Sequence, residues 1–115
     1  MPDTGAKVWY RVRDLAAACV FYVDLLGFEE IYRDVEGSWA RLRSGSMEIG
    51  LTEGEPEEGG VAVVDVADVK GEAERLRGSG VEVGTVLELH GNIRLLDVFD
   101  LDGNRVQLAQ ILAPS

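Results

Sequence analysis

The stretch from Val8 to Phe28 reads VWYRVRDLAAACVFYVDLLGF. Its first residues alternate as a strand does, and Asp14 stands where a helix N-cap accepts from the first free amides. Leu15, Cys19, Tyr22 and Leu26 then recur at helical spacing, and Gly27 ends the run. The plan returns downstream. Ala62 to Asp68 (AVVDVAD) is a second strand ending on Asp, 54 positions after the first (68 − 14). Val69, Ala73 and Leu76 trace a second helix that stops in Gly78-Ser79-Gly80.

Three β-like runs follow each helix. In the first half they are Phe28 to Arg33, Ser38 to Arg43 and Ser46 to Thr52, with turns at Glu36-Gly37 and Ser44-Gly45. In the second they are Val81 to Leu87, Asn92 to Phe99 and Asn104 to Ile111, with turns at His90-Gly91 and Asp102-Gly103. The chain is therefore expected to be one α+β domain over residues 1–115. Two βαβββ repeats, about 6–52 and 60–112, are joined by an acidic, Gly-rich connector over 53–59. Two copies are too few for a solenoid, so a pseudo-twofold domain is the natural reading. If each sheet covers one face with its helix, the opposite faces curve around a cavity. On the first strand Lys7, Trp9 and Arg11 share that face, opposite Val8, Tyr10 and Val12.

Composition narrows the partners. Of 115 residues, 11 are Lys or Arg and 21 are Asp or Glu, a formal net charge of −10. Such a surface repels phosphate backbones and anionic headgroups, so nucleic acid and membrane are poor partners and a cationic ligand is favoured. Both halves are acidic, so neither is a basic arm. No apolar run reaches the roughly 20 residues of a membrane helix, and Met1 to Lys7 lacks the pattern of a signal peptide. The single Cys19 in an apolar run fits a reducing compartment. A cytoplasmic location is expected.

These residues resemble a known family. Strand, Asp-Leu, helix with Phe-Tyr, then Leu-Gly-Phe is similar to the leading segment of the glyoxalase, bleomycin-resistance and extradiol-dioxygenase group, the vicinal-oxygen-chelate superfamily. The late Phe99-Asp100-Leu101-Asp102-Gly103-Asn104 is similar to that family's Asp-Pro-Asp-Gly-Asn turn, with Leu101 in place of Pro. The resemblance implies two βαβββ units forming curved sheets around a cavity, and a homodimer whose clefts lie between subunits. One fold hosts many functions, so the chemistry is read from the site.

Metal-dependent members of the family use a His or Gln at the start of the first strand, a Glu in the fourth, a His at the start of the fifth and a Glu in the eighth. The resemblance carries these positions onto Lys7, Glu48, Val61 and Gln107, and only Glu48 is the usual residue. Protonated lysine offers no lone pair and valine no donor atom, which leaves one carboxylate and one amide oxygen. No metal or other cofactor is expected. Ring-cleaving members take two His and a Glu from the second half, which here has only His90. An ion pair between Lys7 and Glu48 across the cavity is the corresponding expectation, with an exposed Lys7 at the strand start as the alternative.

The candidate ligand-binding set is Lys7, Trp9, Trp39, Arg41, Glu48 and Gln107. Trp9 and Trp39 can wall a flat or cationic ligand, or serve as core or dimer interface. His90 sits at a turn with no evident nucleophile or carboxylate, and Tyr10, Phe21 and Tyr22 read as core. No dinucleotide fingerprint, Walker loop or EF-hand is present. The preferred reading is a non-catalytic protein that sequesters a small aromatic or cationic compound. A divergent glyoxalase-like lyase or isomerase, or a dioxygenase-family enzyme with an altered or absent metal site, is the alternative. An interaction domain with a filled pocket is the third.

Overall fold

A parallel pairing of the first and last strands organises each half around its helix. In the computed structural model, which describes residues 8–57 and 60–112, β1 (Val8–Val12) leads through α1 (Leu15–Val20) to β2 (Glu29–Asp34), β3 (Trp39–Ser44) and β4 (Met47–Glu53). The second half repeats this as β5 (Ala62–Asp65), α2 (Val69–Gly78), β6 (Leu87–Leu89), β7 (Ile93–Phe99) and β8 (Arg105–Ile111). The sheets are ordered β1-β4-β3-β2 and β5-β8-β7-β6. β1 is parallel to β4 and β5 to β8, and the other pairs are antiparallel. The expected α+β plan of two βαβββ units is what is seen, as two open mixed sheets with no closed barrel. The molecule is elongated, 50 × 29 × 23 Å.

The two helix starts are built alike. Asp14 accepts from Ala17 N and Asp68 from Gly71 N, each at 3.1 Å. A side chain near the end of the last strand of each repeat takes a second amide: Leu15 N donates to Glu53 and Val69 N to Gln110, both at 3.0 Å. Glu53, which reads in the sequence as the first connector residue, thus ends β4 and caps α1.

Two local departures from simple periodicity have physical reasons. α1 widens into a π-helical turn over Phe21–Leu25, where Leu26 N donates five residues back to Phe21 O at 3.3 Å. The wider turn lets adjacent Phe21 and Tyr22 both face inward, and Tyr22 packs edge-on to Phe21 and Phe28. Gly27, at φ +76°, then turns the chain into β2. The run expected as a strand over Val81 to Leu87 pairs only at an isolated bridge, Val83 to Val98, before β6 begins at Leu87. There Phe99 N reaches Glu82 O and Gly84 N reaches Asp97 O. A chain that bonds at Glu82 and Gly84 and then leaves the ladder cannot form a continuous strand.

One apolar core joins the halves, with Val12, Leu42, Leu51, Val69, Leu76 and Val98 all fully or almost fully buried. Tyr10 is the seam. Its hydroxyl donates to Arg105 O and accepts from Ala62 N at 2.8 Å, and its ring stacks on Tyr22. Burial pushes the Tyr10 phenol up to about 12 from the usual 10, although the Ala62 amide pulls the other way. The unfolded chain ionises Tyr10 near pH 10 while the folded chain holds it protonated. This stabilisation is therefore complete below pH 10 and is lost as pH rises through about 12. Tyr10→Phe is expected to cost about 1–3 kcal/mol at neutral pH by stranding the Ala62 amide. It should also flatten part of the stability loss above pH 10, with denaturant melts across that range as the measurement; Tyr22 and Cys19, also raised by burial, contribute in the same direction.

Candidate functional site

The face of the first sheet that points away from α1 is set by strand register. Trp9 lies beside Gly50, Gly50 beside Arg41 and Arg41 beside Tyr32, while Arg11 and Trp39 flank Thr52. Gly50 is what allows Trp9 to lie down on the sheet. A Cβ there would sit 2.3 Å from Trp9 Cε3. Trp9 meets Trp39 edge to face at 5.9 Å, and Trp39 meets Tyr32 at 5.1 Å. Gly37 has its amide on the Asp34 carboxylate at 2.8 Å and makes room for the Trp39 indole in the same way. The result is an aromatic strip of three rings, with Trp9 and Trp39 half-buried and Tyr32 exposed.

Charged groups on this face come as pairs. Arg41 Nε lies 3.5 Å from Glu48 Oε2, with side chains 28% and 16% exposed. Those two atoms are buried and make no hydrogen bond among the described residues. Arg43 lies 3.5 Å from Glu29, and Arg11 lies 3.3 Å from Glu57 in the connector. Lys7 falls outside the described residues, so its expected pairing with Glu48 does too; the described partner of Glu48 is Arg41. Trp9, Trp39, Arg41 and Glu48 are thus brought onto one face.

Gln107 and Val61 belong elsewhere. Gln107 is on the open face of the second sheet, where its amide donates to Asp97 Oδ1 at 3.3 Å and Arg105 reaches Asp97 Oδ2 at 3.4 Å. Along the same face Leu87 aligns with Leu95, and Leu89 with Ile93 and Ile111. Leu87, Leu89 and Ile111 are exposed. Val61 lines a cleft of about 680 Å³ at the seam of the halves, together with Tyr10, Glu57, Phe99, Asn104 and Arg105. His90 is an exposed turn residue at φ +54°. Burial raises the Cys19 thiol, so it is not poised as a nucleophile.

The described donors do not fit a divalent ion. Glu48 already faces a guanidinium, Gln107 supplies only a neutral amide oxygen while its Nε2 donates to Asp97, and Val61 has no donor. Among the described residues no group of three His, Cys, Asp or Glu side chains converges. Tyr32 and Asp97 were not evident as site residues. A register shift between Glu30 and Tyr32 brings Tyr32 beside Arg41, where unbroken alternation would have set it opposite Ala40.

Two open mixed sheets in βαβββ repeats, with a helix behind each and a polar-aromatic face in front, define a glyoxalase-like α+β protein. The model of the Glyoxalase/Bleomycin resistance protein/Dioxygenase superfamily matches residues 6–108, and the chain belongs to that superfamily. Among solved structures it is similar to an integron cassette protein from the mobile metagenome of Halifax Harbour Sewage Outfall, with TM-score 0.80 and 21% identity over 90% of this chain and 95% of that one. Lactoylglutathione lyase from Agrobacterium tumefaciens gives TM-score 0.74 and 19% identity over 96% and 95%. A bleomycin resistance determinant encoded on the transposon Tn5 gives 0.72 and 16% over 92% and 96%. At these identities the likeness concerns the fold. A search of the curated proteins found no match. No helix among the described residues is long and apolar enough to cross a membrane.

Proposed function

We propose that this chain is a small-molecule-binding protein that holds a flat aromatic compound on the open face of its first sheet, without a metal. The observation that carries this is the Trp9, Trp39 and Tyr32 strip laid over Gly50 and edged by the Arg41–Glu48 pair. Indole faces gain from stacking on a planar ring and from a nearby cation. The bleomycin resistance determinant among the structural neighbours is in keeping with this reading. We further propose a homodimer. The exposed apolar row of Leu87, Leu89 and Ile111 on the second sheet supports it, because such a row gains free energy when a second copy covers it. The buried, inert Cys19 fits a cytoplasmic setting.

Three probes of one shape and different charge test the ligand reading: 2-naphthol, 2-naphthoate and 1-methylquinolinium. At least one is expected to quench tryptophan emission saturably and to raise the melting temperature, since a ligand of the native state at 100 times its Kd adds about 2.7 kcal/mol. Trp39→Ala should weaken that probe at least about tenfold, or about 1.4 kcal/mol. If quenching by all three stays linear and the melting temperature stays fixed, the ligand reading fails.

A further inference from the structure

We infer that Arg41 is the resident cation of this face, a guanidinium built into the sheet that occupies the place beside Glu48 and keeps it closed to metal. Glu48 is the one position at which this chain retains the acidic residue expected of a metal-binding relative, so its surroundings decide whether an ion can settle there. Arg41 and Glu48 are on adjacent strands, diagonal across the Gly50–Arg41 register pair. Arg41 Nε and Glu48 Oε2 are 3.5 Å apart and sealed from solvent.

A divalent ion bound to Glu48 would have to displace this arginine or sit beside it. Displacement leaves a guanidinium without its counter-charge in a half-buried site, and coexistence places two cations within a few ångströms in a poorly screened environment. Neither cost is met by other donors, because Val61 offers none and Gln107, whose Nε2 donates to Asp97, brings only a neutral amide oxygen. Arginine suits the role better than lysine: its charge does not titrate away and its planar fork holds a fixed geometry. Gly50 contributes as well, because a side chain there would compete for the space between Arg41 and Trp9.

The inference concerns the same face as the proposed ligand site but needs only the ion pair, so the two can fail separately. Zinc, nickel and manganese chlorides are titrated into metal-stripped full-length protein by calorimetry, and melting temperatures are measured for Arg41→Met, Glu48→Gln and the double variant. No saturable uptake is expected up to about 1 mM, the weak range left to a site with few charged ligands. Each single variant should lower the melting temperature by at least about 4 °C. The double variant should fall no further than the worse single, because removing both partners leaves no stranded charge. Stoichiometric uptake of any of the three ions that Glu48→Gln abolishes overturns the inference, and so do additive shifts. The metal titration uses the unaltered chain and reads out even if a variant fails to fold. Metal uptake together with saturable binding of one of the three aromatic probes would defeat this inference and leave the aromatic face standing as a ligand site, without its metal-free character.

Discussion

Asp100→Ala should lower stability by about 3–5 kcal/mol, because it strands several buried donors at about 1–3 kcal/mol each, partly relieved by relaxation. Asp100 is buried between β7 and β8, and both of its oxygens are in use. Oδ1 accepts from Asp102 N and Asn104 N, each at 2.9 Å. Oδ2 accepts from Tyr22 OH at 2.8 Å and Asn104 Nδ2 at 3.0 Å. Alanine would leave all four donors without this acceptor, in a place water enters poorly. Asn104 also donates to Arg11 O at 2.8 Å, so the damage would spread to β1 and the join between the halves. The melting temperature should fall by about 10–20 °C at roughly 4 °C per kcal/mol. Tyr22→Phe, which removes one donor and strands none, should cost only about 1 kcal/mol. A loss below 1 kcal/mol for Asp100→Ala in urea melts would mean that the network does not hold the turn. These four bonds also leave the Asp-Leu-Asp-Gly turn ill suited to a cation, because both oxygens of Asp100 are already occupied by donors.

The strand-Asp-helix run at Val8 and its echo at Ala62 made the architecture legible, because caps, helix spacing and turn glycines are local signals that agreed with one another. The burial of Tyr10, Phe21 and Tyr22 was legible for the same reason. Features that depend on register were not. The bulge in β2 that turns Tyr32 toward Trp39 adds a residue without changing the composition of the strand. The partner of Glu48 depends on which residue of β3 lies diagonal to it, which no spacing along the chain reveals. Arg41 was therefore visible as a neighbour of Trp39 but not as the counter-ion of Glu48. The π turn after α1 and the broken strand before β6 belong with these, since backbone hydrogen bonding across the molecule decides both. Glu53 shows the limit from the other side. Its place in an acidic run suggested solvent, whereas its carboxylate holds a helix amide.

Substitution of Gly50 should separate folding from ligand binding. Alanine in a strand has less backbone entropy to lose than glycine, which favours Gly50→Ala by roughly 0.5–1 kcal/mol. Against this, the new methyl would meet Trp9 Cε3, Cδ2 and Cζ3 at 2.3–2.4 Å. An indole is a rigid plate, so it must swing away as a whole, and the cost of such overpacking is about 1–3 kcal/mol. The second effect outweighs the first, and Gly50→Val should exceed Gly50→Ala. Trp9 is only half-buried, so the chain can release the strain by lifting the ring toward solvent and should stay folded. The lifted ring leaves Trp39, and the strip loses one of its walls. Expected together are a net stability loss on the order of 1–2 kcal/mol, a red-shifted tryptophan emission and a loss of the Trp9–Trp39 signal in near-ultraviolet circular dichroism. Affinity for whichever naphthalene-sized probe the parent chain binds should drop at least about tenfold, the equivalent of about 1.4 kcal/mol. Gly50→Ala that keeps parental affinity while its tryptophan emission shifts would show that Trp9 is not part of the ligand face, and the aromatic strip would then have to be assigned to the contact between subunits.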